Sequence, residues 1–350
     1  MTIHIGILGA GNISQTHARA ARDIDGVEIT AICGQDVQKV TRLAKACGGS
    51  VYDNLERFFR HMPMEIVLIG SPSGLHAEHG IEAANHGLHV LVEKPIDITV
   101  DRADALIGAC EKARVKLGVF FQDRVSSDFI KLKELIDSGK LGKPVLMSAR
   151  IRWYRPPEYY EQSRWRGSWA LDGGGALMNQ GIHTIDLLLW LLGDIVSIQA
   201  KARTALHDIE VEDTVVASFE FSSGAVGTLE ASTAVYPGYP RRVELTWSEG
   251  TIVLENDRLV SADLRTPISE FTGREAESEH DRSNSPVISN TRGHKTIIED
   301  FIRAIETNGT PVCDGYQARR SVEVVQAVYE SSRAGQAFTL KAGRRWMAGS

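Results

Sequence analysis

Cysteine is scarce in this chain: four in 350 residues, none in a Cys-x-x-Cys pair. Cys33, Cys47, Cys110 and Cys313 are too scattered to mark a zinc site or a disulfide framework, and a reducing cytoplasm suits them. No apolar run approaches the roughly 20 residues of a membrane span. The strongest one, Leu187 to Leu192, is closed by Gly193 and reads as the end of a buried helix. The first strand-like run begins at Ile3, which leaves no room for a signal peptide. There is no basic block, and a net charge of -6 argues against nucleic acid as the main partner. Internal repeats and low-complexity tracts are also missing. What remains, 43% hydrophobic and 24% charged residues, describes a soluble globular protein too long for one ordinary core. Two domains are expected, over residues 1–123 and 124–350.

The first third alternates apolar runs with helical segments. Ile3 to Leu8 runs into Gly9, Gly11, Asn12 and Ile13, with helix from Gln15. Strand, glycine turn and helix in that order are the setting in which Gly-x-Gly-x-x-Gly binds a dinucleotide. The glycines let backbone approach a pyrophosphate, which then faces the positive end of the helix. Ser14 replaces the third glycine, small enough for close packing but a weaker motif. The second strand, Val27 to Cys33, ends at Gly34 and Gln35, where an NAD-specific protein usually places an acid for the ribose hydroxyls. Asp36 follows, better read as the cap of the next helix, so the choice between NAD and NADP stays open. Further strands lead into Ser71, Pro72 and His76, and into Glu93, Lys94 and Pro95. Ligands of open parallel sheets bind beyond the carboxyl ends of the strands, which is where these residues fall. A lysine there can stabilise the alkoxide that develops when hydride leaves a carbinol carbon.

Later the pattern changes. Gly173, Gly174 and Gly175 lead a segment in which Asn179, His183 and Asp186 follow at i, i+4 and i+7, so one helix face carries all three. From Val145 onward short alternating strands joined by Ser222 to Gly224 and by Ser248 to Gly250 read as hairpins of a largely antiparallel sheet. One sheet face is expected on the helices holding His183 and residues 296–306, the other on a second subunit, giving a homodimer or homotetramer. Arg155, Trp165 and Arg166 lie in a proline-broken stretch rich in aromatics, which reads as a loop leading into the site. Such residues stack sugar rings and bind hydroxyls, and an anionic sugar suits the arginines best. Residues 261–292 read as a polar excursion, a candidate lid, and His294 reaches the pocket only if the chain folds back there.

Read together, these motifs resemble the glucose-fructose oxidoreductase, inositol dehydrogenase and rhizopine catabolism (Gfo/Idh/MocA) family over nearly the whole chain. The resemblance rests on Gly9 to Ile13 with His17, Ser71 and Pro72 with His76, Glu93-Lys94-Pro95, the stretch from Gly173 to Asp186, and the segment beginning at Gln317. It implies an α/β Rossmann domain followed by an α+β domain with a large, open-faced, mostly antiparallel sheet. It also implies catalysis by Lys94 and by His183, with Asn179 standing where the family carries an Asp. An amide can hold a hydroxyl but cannot take a proton near neutral pH, so proton transfer falls more heavily on His183. The expected cofactor is NAD or NADP, held by Gly9, Gly11, Asn12, Ile13, Gly34, Gln35, Ser71, Pro72, His76, Glu93 and Lys94. The expected substrate is a sugar, cyclitol, sugar acid or nucleotide sugar, contacted by Arg155, Trp165, Arg166, Asn179 and His183. No metal site is expected. The alternatives are an NAD-dependent glycosidase of related fold and a non-catalytic nucleotide sensor.

Overall fold

The computed structural model describes residues 2–163, 165–267 and 291–340, in two compact units. The first comprises residues 2–125 and 291–319, the second 126–267 and 320–340.

In the first unit β1 (Ile3–Leu8), α1 (Asn12–Arg22), β2 (Val27–Cys33), α2 (Val37–Cys47) and β3 (Ser50–Tyr52) form one half. After α3 (Leu55–Phe59) come β4 (Ile66–Ile69), α4 (His76–Asn85), β5 (His89–Val92), α5 (Val100–Ala113) and β6 (Leu117–Val119). All strand pairs are parallel, in the order β3-β2-β1-β4-β5-β6. Strands with helices on both faces must be apolar throughout, and Ile66, Val67, Leu68 and Ile69 are accordingly all buried. The order reverses between β1 and β4, so a crevice opens beyond their carboxyl ends, where Gly9 and Ser71 lie.

One expectation is corrected here. Residues 296–306 do not support the second sheet. They belong to α9 (Arg292–Glu306), whose Ile297, Ile298 and Phe301 join Ala18, Ala21 and Phe120 in the core of the first unit. A Cβ at Gly118 would stand 2.8 Å from the Phe301 ring, so the glycine in β6 makes room for it. The chain after α9 is also tied down there, since Val119 N donates to Cys313 O at 3.0 Å.

The second unit holds α6 (Ser127–Asp137), β7 (Pro144–Arg152), α7 (Pro157–Glu161), α8 (Ile182–Leu192) and six further strands. These are β8 (Ile195–Arg203), β9 (Thr214–Phe221), β10 (Val226–Ser232), β11 (Arg242–Trp247), β12 (Gly250–Glu255) and β13 (Arg258–Leu264). With β14 (Phe338–Thr339) they form an eight-stranded sheet, β13-β12-β11-β7-β10-β9-β8-β14, antiparallel except where β7 meets β10. Both hairpins expected from sequence are present. β13 is an addition: Asn256 and Asp257 adopt φ of 49° and 66°, the left-handed pair that closes a tight hairpin, so residues 261–264 are strand rather than excursion. The rest of that expected lid, residues 268–290, lies outside the described residues.

One face of this sheet is buried through Val215, Ala217, Phe219 and Phe221. α10 (Gly315–Ala334) lies along β8, where Ala200 N and Ala202 N donate to Ser331 Oγ and Ser332 Oγ at 3.0 and 2.8 Å. The opposite face exposes Leu146, Val216 and Val226 beside the ion pairs Arg150–Glu244, Arg242–Glu255 and Arg152–Glu230. No described helix is long and apolar enough to cross a membrane.

Candidate active site

The turn after β1 is built for a guest. Gly9 has φ +120°, and a Cβ there would stand 2.6 Å from Gly70 O, so only glycine fits. Gly11 caps α1 with no side-chain hydrogen bond, the first turn of α1 carries no acid, and a Cβ at Gly11 would meet nothing within 4 Å. The leading amides of Asn12 and Ile13 thus begin a helix whose N-cap residue offers no side-chain cap. That suits a pyrophosphate, which the helix N-terminus attracts. Ser14 is buried, its Oγ 2.7 Å from where a Gly9 Cβ would be, so it fills the third glycine's place at close range. Gly34 follows β2, its N donating to Tyr52 O at 3.2 Å, while Gln35 is exposed. Asp36 caps α2 by accepting from Lys39 N at 3.1 Å, and that hydrogen bond holds its carboxyl below the usual range.

Behind the crevice sits a buried polar layer. The two ring nitrogens of His76 lie 2.7 Å from Pro95 O and 2.9 Å from Ser71 O, so its polar atoms tie the loops after β4 and β5 together. Both ring nitrogens thus face carbonyl oxygens of the protein. Ser71 and Pro72 are half-buried at the crevice. Glu93 is buried: Oε1 takes His17 Nε2 at 2.8 Å, His294 Nε2 is 3.6 Å from the same oxygen, and Oε2 accepts from Lys94 N at 3.2 Å. Burial alone raises the Glu93 pKa, but His17 and His294 more than reverse it and hold the carboxyl far below its ordinary value. His17 stacks on Phe120 with centroids 4.5 Å apart, and its pKa is lowered by burial. The half-buried Lys94 is thus set on a backbone fixed by an ionised carboxylate. His294 lies inside α9 rather than ahead of it.

In the second unit the triple glycine precedes one π-helical turn, Ala176–Gly181, that runs into α8. A Cβ on Gly174 would overlap the Tyr329 hydroxyl, and one on Gly175 would overlap the carbonyl oxygen of Glu212. The Glu212 carboxylate fills this N-terminus: it accepts from Gly175 N at 2.9 Å, Leu177 N at 2.8 Å and Tyr329 Oη at 2.9 Å. Burial nevertheless pushes its pKa up to about 7. The π turn carries Asn179, and the first turn of α8 carries the buried His183. Asp186, on the same stretch in sequence, is 1% exposed and accepts from Ser321 Oγ at 3.3 Å, a structural contact with α10. Asn179 Nδ2 donates to Asp172 Oδ1 at 2.6 Å.

The arginine-aromatic stretch is more structured than a loop. Arg155 is 2% exposed, its guanidinium 5.1 Å from the Trp153 ring centroid and 5.6 Å from that of Tyr159. Arg166 covers Tyr159 at 4.2 Å and Trp165 at 5.4 Å. Trp153 and Tyr160 are buried, so apolar packing draws in aromatics that the prolines had marked as exposed. The Arg155 pKa is lowered by burial, and Arg166 adds to that repulsion. Two guanidinium groups over one phenol ring make an electropositive wall.

Sequence reasoning missed Asp172 and Glu212, and named His294 only on the condition that the chain folds back. Asp172 directly precedes the glycines and was within reach of a local reading, whereas the partners of His294 and Glu212 are distant in sequence.

A nucleotide-receiving parallel sheet in one unit, and in the other an imidazole, an amide and a cationic aromatic wall, define a dinucleotide-dependent oxidoreductase. Comparison with known proteins makes the class specific. The profile described as "Oxidoreductase family, NAD-binding Rossmann fold" matches residues 3–121, and that of the "GFO/IDH/MocA C-terminal domain" matches residues 129–253. The chain belongs to the Gfo/Idh/MocA family. It is 30% identical to inositol 2-dehydrogenase 3 of Saccharopolyspora erythraea over 73% of each chain. It is 27% identical to inositol 2-dehydrogenase of Rhizobium meliloti over 95% of this chain and 97% of that one. The crystal structure of the WlbA dehydrogenase from Bordetella pertussis, in complex with NADH and UDP-GlcNAcA, superposes with a TM-score of 0.88 at 28% identity, covering 98% of this chain and 100% of that one. The protein is an NAD-binding oxidoreductase of the sugar or cyclitol dehydrogenase type.

Proposed function

We infer that the protein oxidises a CH–OH group of an anionic sugar, a sugar acid or its nucleotide-linked form, or reduces the matching ketone. The observation that carries this is the cationic aromatic wall, where the guanidinium groups of Arg155 and Arg166 both lie over Tyr159, since guanidinium groups bind carboxylate and phosphate oxygens while aromatic rings stack sugar faces. The WlbA dehydrogenase, whose structure holds UDP-GlcNAcA, supports the same substrate class.

In the oxidative direction His183 accepts the hydroxyl proton, Asn179 holds the hydroxyl, and the Lys94 ammonium steadies the developing oxyanion. The bound nicotinamide supplies the hydride acceptor. Gly9, Gly11, Asn12 and Ile13 hold the pyrophosphate, with Gly34, Gln35, Ser71 and Pro72 lining the crevice. Asp36 caps α2 and pairs with Lys39, so its charge does not choose between NAD and NADP, and equilibrium binding of both decides the form. A second copy of this chain covers the open sheet face, where Leu146 and Val226 are cross-strand neighbours and the flanking ladder of both charge signs is self-complementary. A monomer at every concentration by light scattering would remove that part of the reading.

The test is reduced-nicotinamide absorbance with NAD or NADP and a panel of neutral sugars, inositols, uronic acids and nucleotide sugar acids. Signal is expected with NAD or NADP and an acid, and Lys94→Ala and His183→Ala should each lose about 100-fold or more in kcat. Full turnover by both variants would overturn the residue roles. Turnover of neutral sugars alone would overturn the anionic substrate, and release of a free sugar with no net reduced cofactor would turn the reading towards a glycosidase.

A further inference from the structure

We propose that Asp172 is a positioning residue that fixes the amide of Asn179, so that Asn179 meets a substrate hydroxyl as a hydrogen-bond acceptor. This rests on the placement of Asn179 in the substrate site given above. An amide has a donor end and an acceptor end of nearly equal size, and only its neighbours decide which way it points. Here they decide it in sequence. Asp172 Oδ2 accepts from Gly167 N at 2.9 Å, which anchors the carboxylate, and its Oδ1 stands 2.6 Å from Asn179 Nδ2. A carboxylate only accepts, so the amide nitrogen must face it and Asn179 Oδ1 must face the other way. That oxygen accepts from Gln180 Nε2 at 3.2 Å, and Gln180 Nε2 also reaches Tyr159 Oη at 3.1 Å. Gln180 Nε2 thus donates both ways, to Asn179 Oδ1 and to Tyr159 Oη, the phenol over which Arg155 and Arg166 lie. The negative charge absent from position 179 is therefore supplied one hydrogen bond behind it, on a residue 1% exposed.

The arrangement makes a swap informative. Asn179→Asp alone sets two carboxylates at hydrogen-bond distance, which must share a proton. Adding Asp172→Asn inverts the pair: the new amide oxygen accepts from Gly167 N, its nitrogen donates to the new carboxylate, and that carboxylate still accepts from Gln180. The titratable groups near Asp172 include the phenols of Tyr160 and Tyr329, both raised by burial and neutral throughout. Glu212, bonded to Tyr329, titrates near 7 and is shared by all variants, so each is compared with the unaltered protein at the same pH.

The experiment follows the melting temperature of the full-length protein from about pH 5 to 8. The shared proton raises the pair's pKa in the folded state, so stability is lost as pH rises. Asn179→Asp should fall behind the unaltered protein by about 4 °C or more over this range, and the double variant should not. With a substrate in hand, Asp172→Asn and Asn179→Asp should each lose about tenfold or more in kcat/KM, and the double variant should recover most of it. A melting profile of Asn179→Asp parallel to that of the unaltered protein, or a double variant no better than the singles, would overturn the proposal. Because the melting profiles need no substrate, a silent substrate panel beside the predicted profiles sinks only the sugar-acid reading.

Discussion

Two glycine-led turns enter helices in this protein, one in each unit, and they differ in what fills the helix N-terminus. At α1 Gly11 offers no cap, and a Cβ on it would meet nothing within 4 Å among the described residues. At the turn from Gly173 to Gly175 the Glu212 carboxylate takes two backbone amides, with its own backbone pressed against Gly175. Both turns lead into the positive end of a helix dipole, which favours an acceptor or a negative group beside it. We propose that the first takes a ligand phosphate, whereas the second is filled by the Glu212 carboxyl from within the fold. A glycine run before a helix therefore marks a close approach, but only the surroundings tell whether ligand or protein approaches.

The difference can be broken most severely at Gly175. Gly175→Ala drives a Cβ into the Glu212 carbonyl, and urea denaturation should show a loss of about 3 kcal/mol or more, or no folded second unit. A smaller change removes the internal anion but not its shape. The folded pKa of Glu212, about 7, lies above its unfolded value, so its contribution is fully present below about pH 4 and is lost as pH rises through 7. The unaltered protein should lose stability across that window. Glu212→Gln, which mimics the neutral acid, should flatten the slope by roughly 3 kcal/mol. An identical slope in both proteins would show that Glu212 does not titrate as the structure implies.

The sequence was most readable where the physics is local. The order of strand, glycine turn and helix placed Gly9, Gly11, Ser71 and Lys94 at the carboxyl ends of parallel strands, because alternating apolar runs and helical periods fix a doubly wound sheet. The hairpins at Ser222 and Ser248 were equally plain, whereas the Asn256-Asp257 hairpin lacked the usual glycine. The membership of α9 was not readable, since its apolar stripe of Ile297, Ile298 and Phe301 fits either unit, and pairing of β6 with the strand-like segment at Cys313 decides. Asn179 and His183, the proposed substrate contacts, stood out in the sequence by their spacing. Their supports did not: Glu212 lies 35 residues beyond Leu177 and His294 joins Glu93 from another part of the chain. Burial of Arg155 was hidden as well, because prolines and charge mark a loop and cannot reveal the rings of Trp153 and Tyr159 that cover it.

The most direct test of the contrast between the two turns is equilibrium binding of NADH to Gly11→Ala beside the unaltered protein. With φ at -81° and no atom within 4 Å of the added Cβ, the substitution leaves the fold untouched and only narrows the approach to the α1 amides. The account predicts an unchanged melting temperature without cofactor and a dissociation constant raised about tenfold or more. A dissociation constant equal to that of the unaltered protein would mean that the open turn is not where the cofactor's phosphates sit.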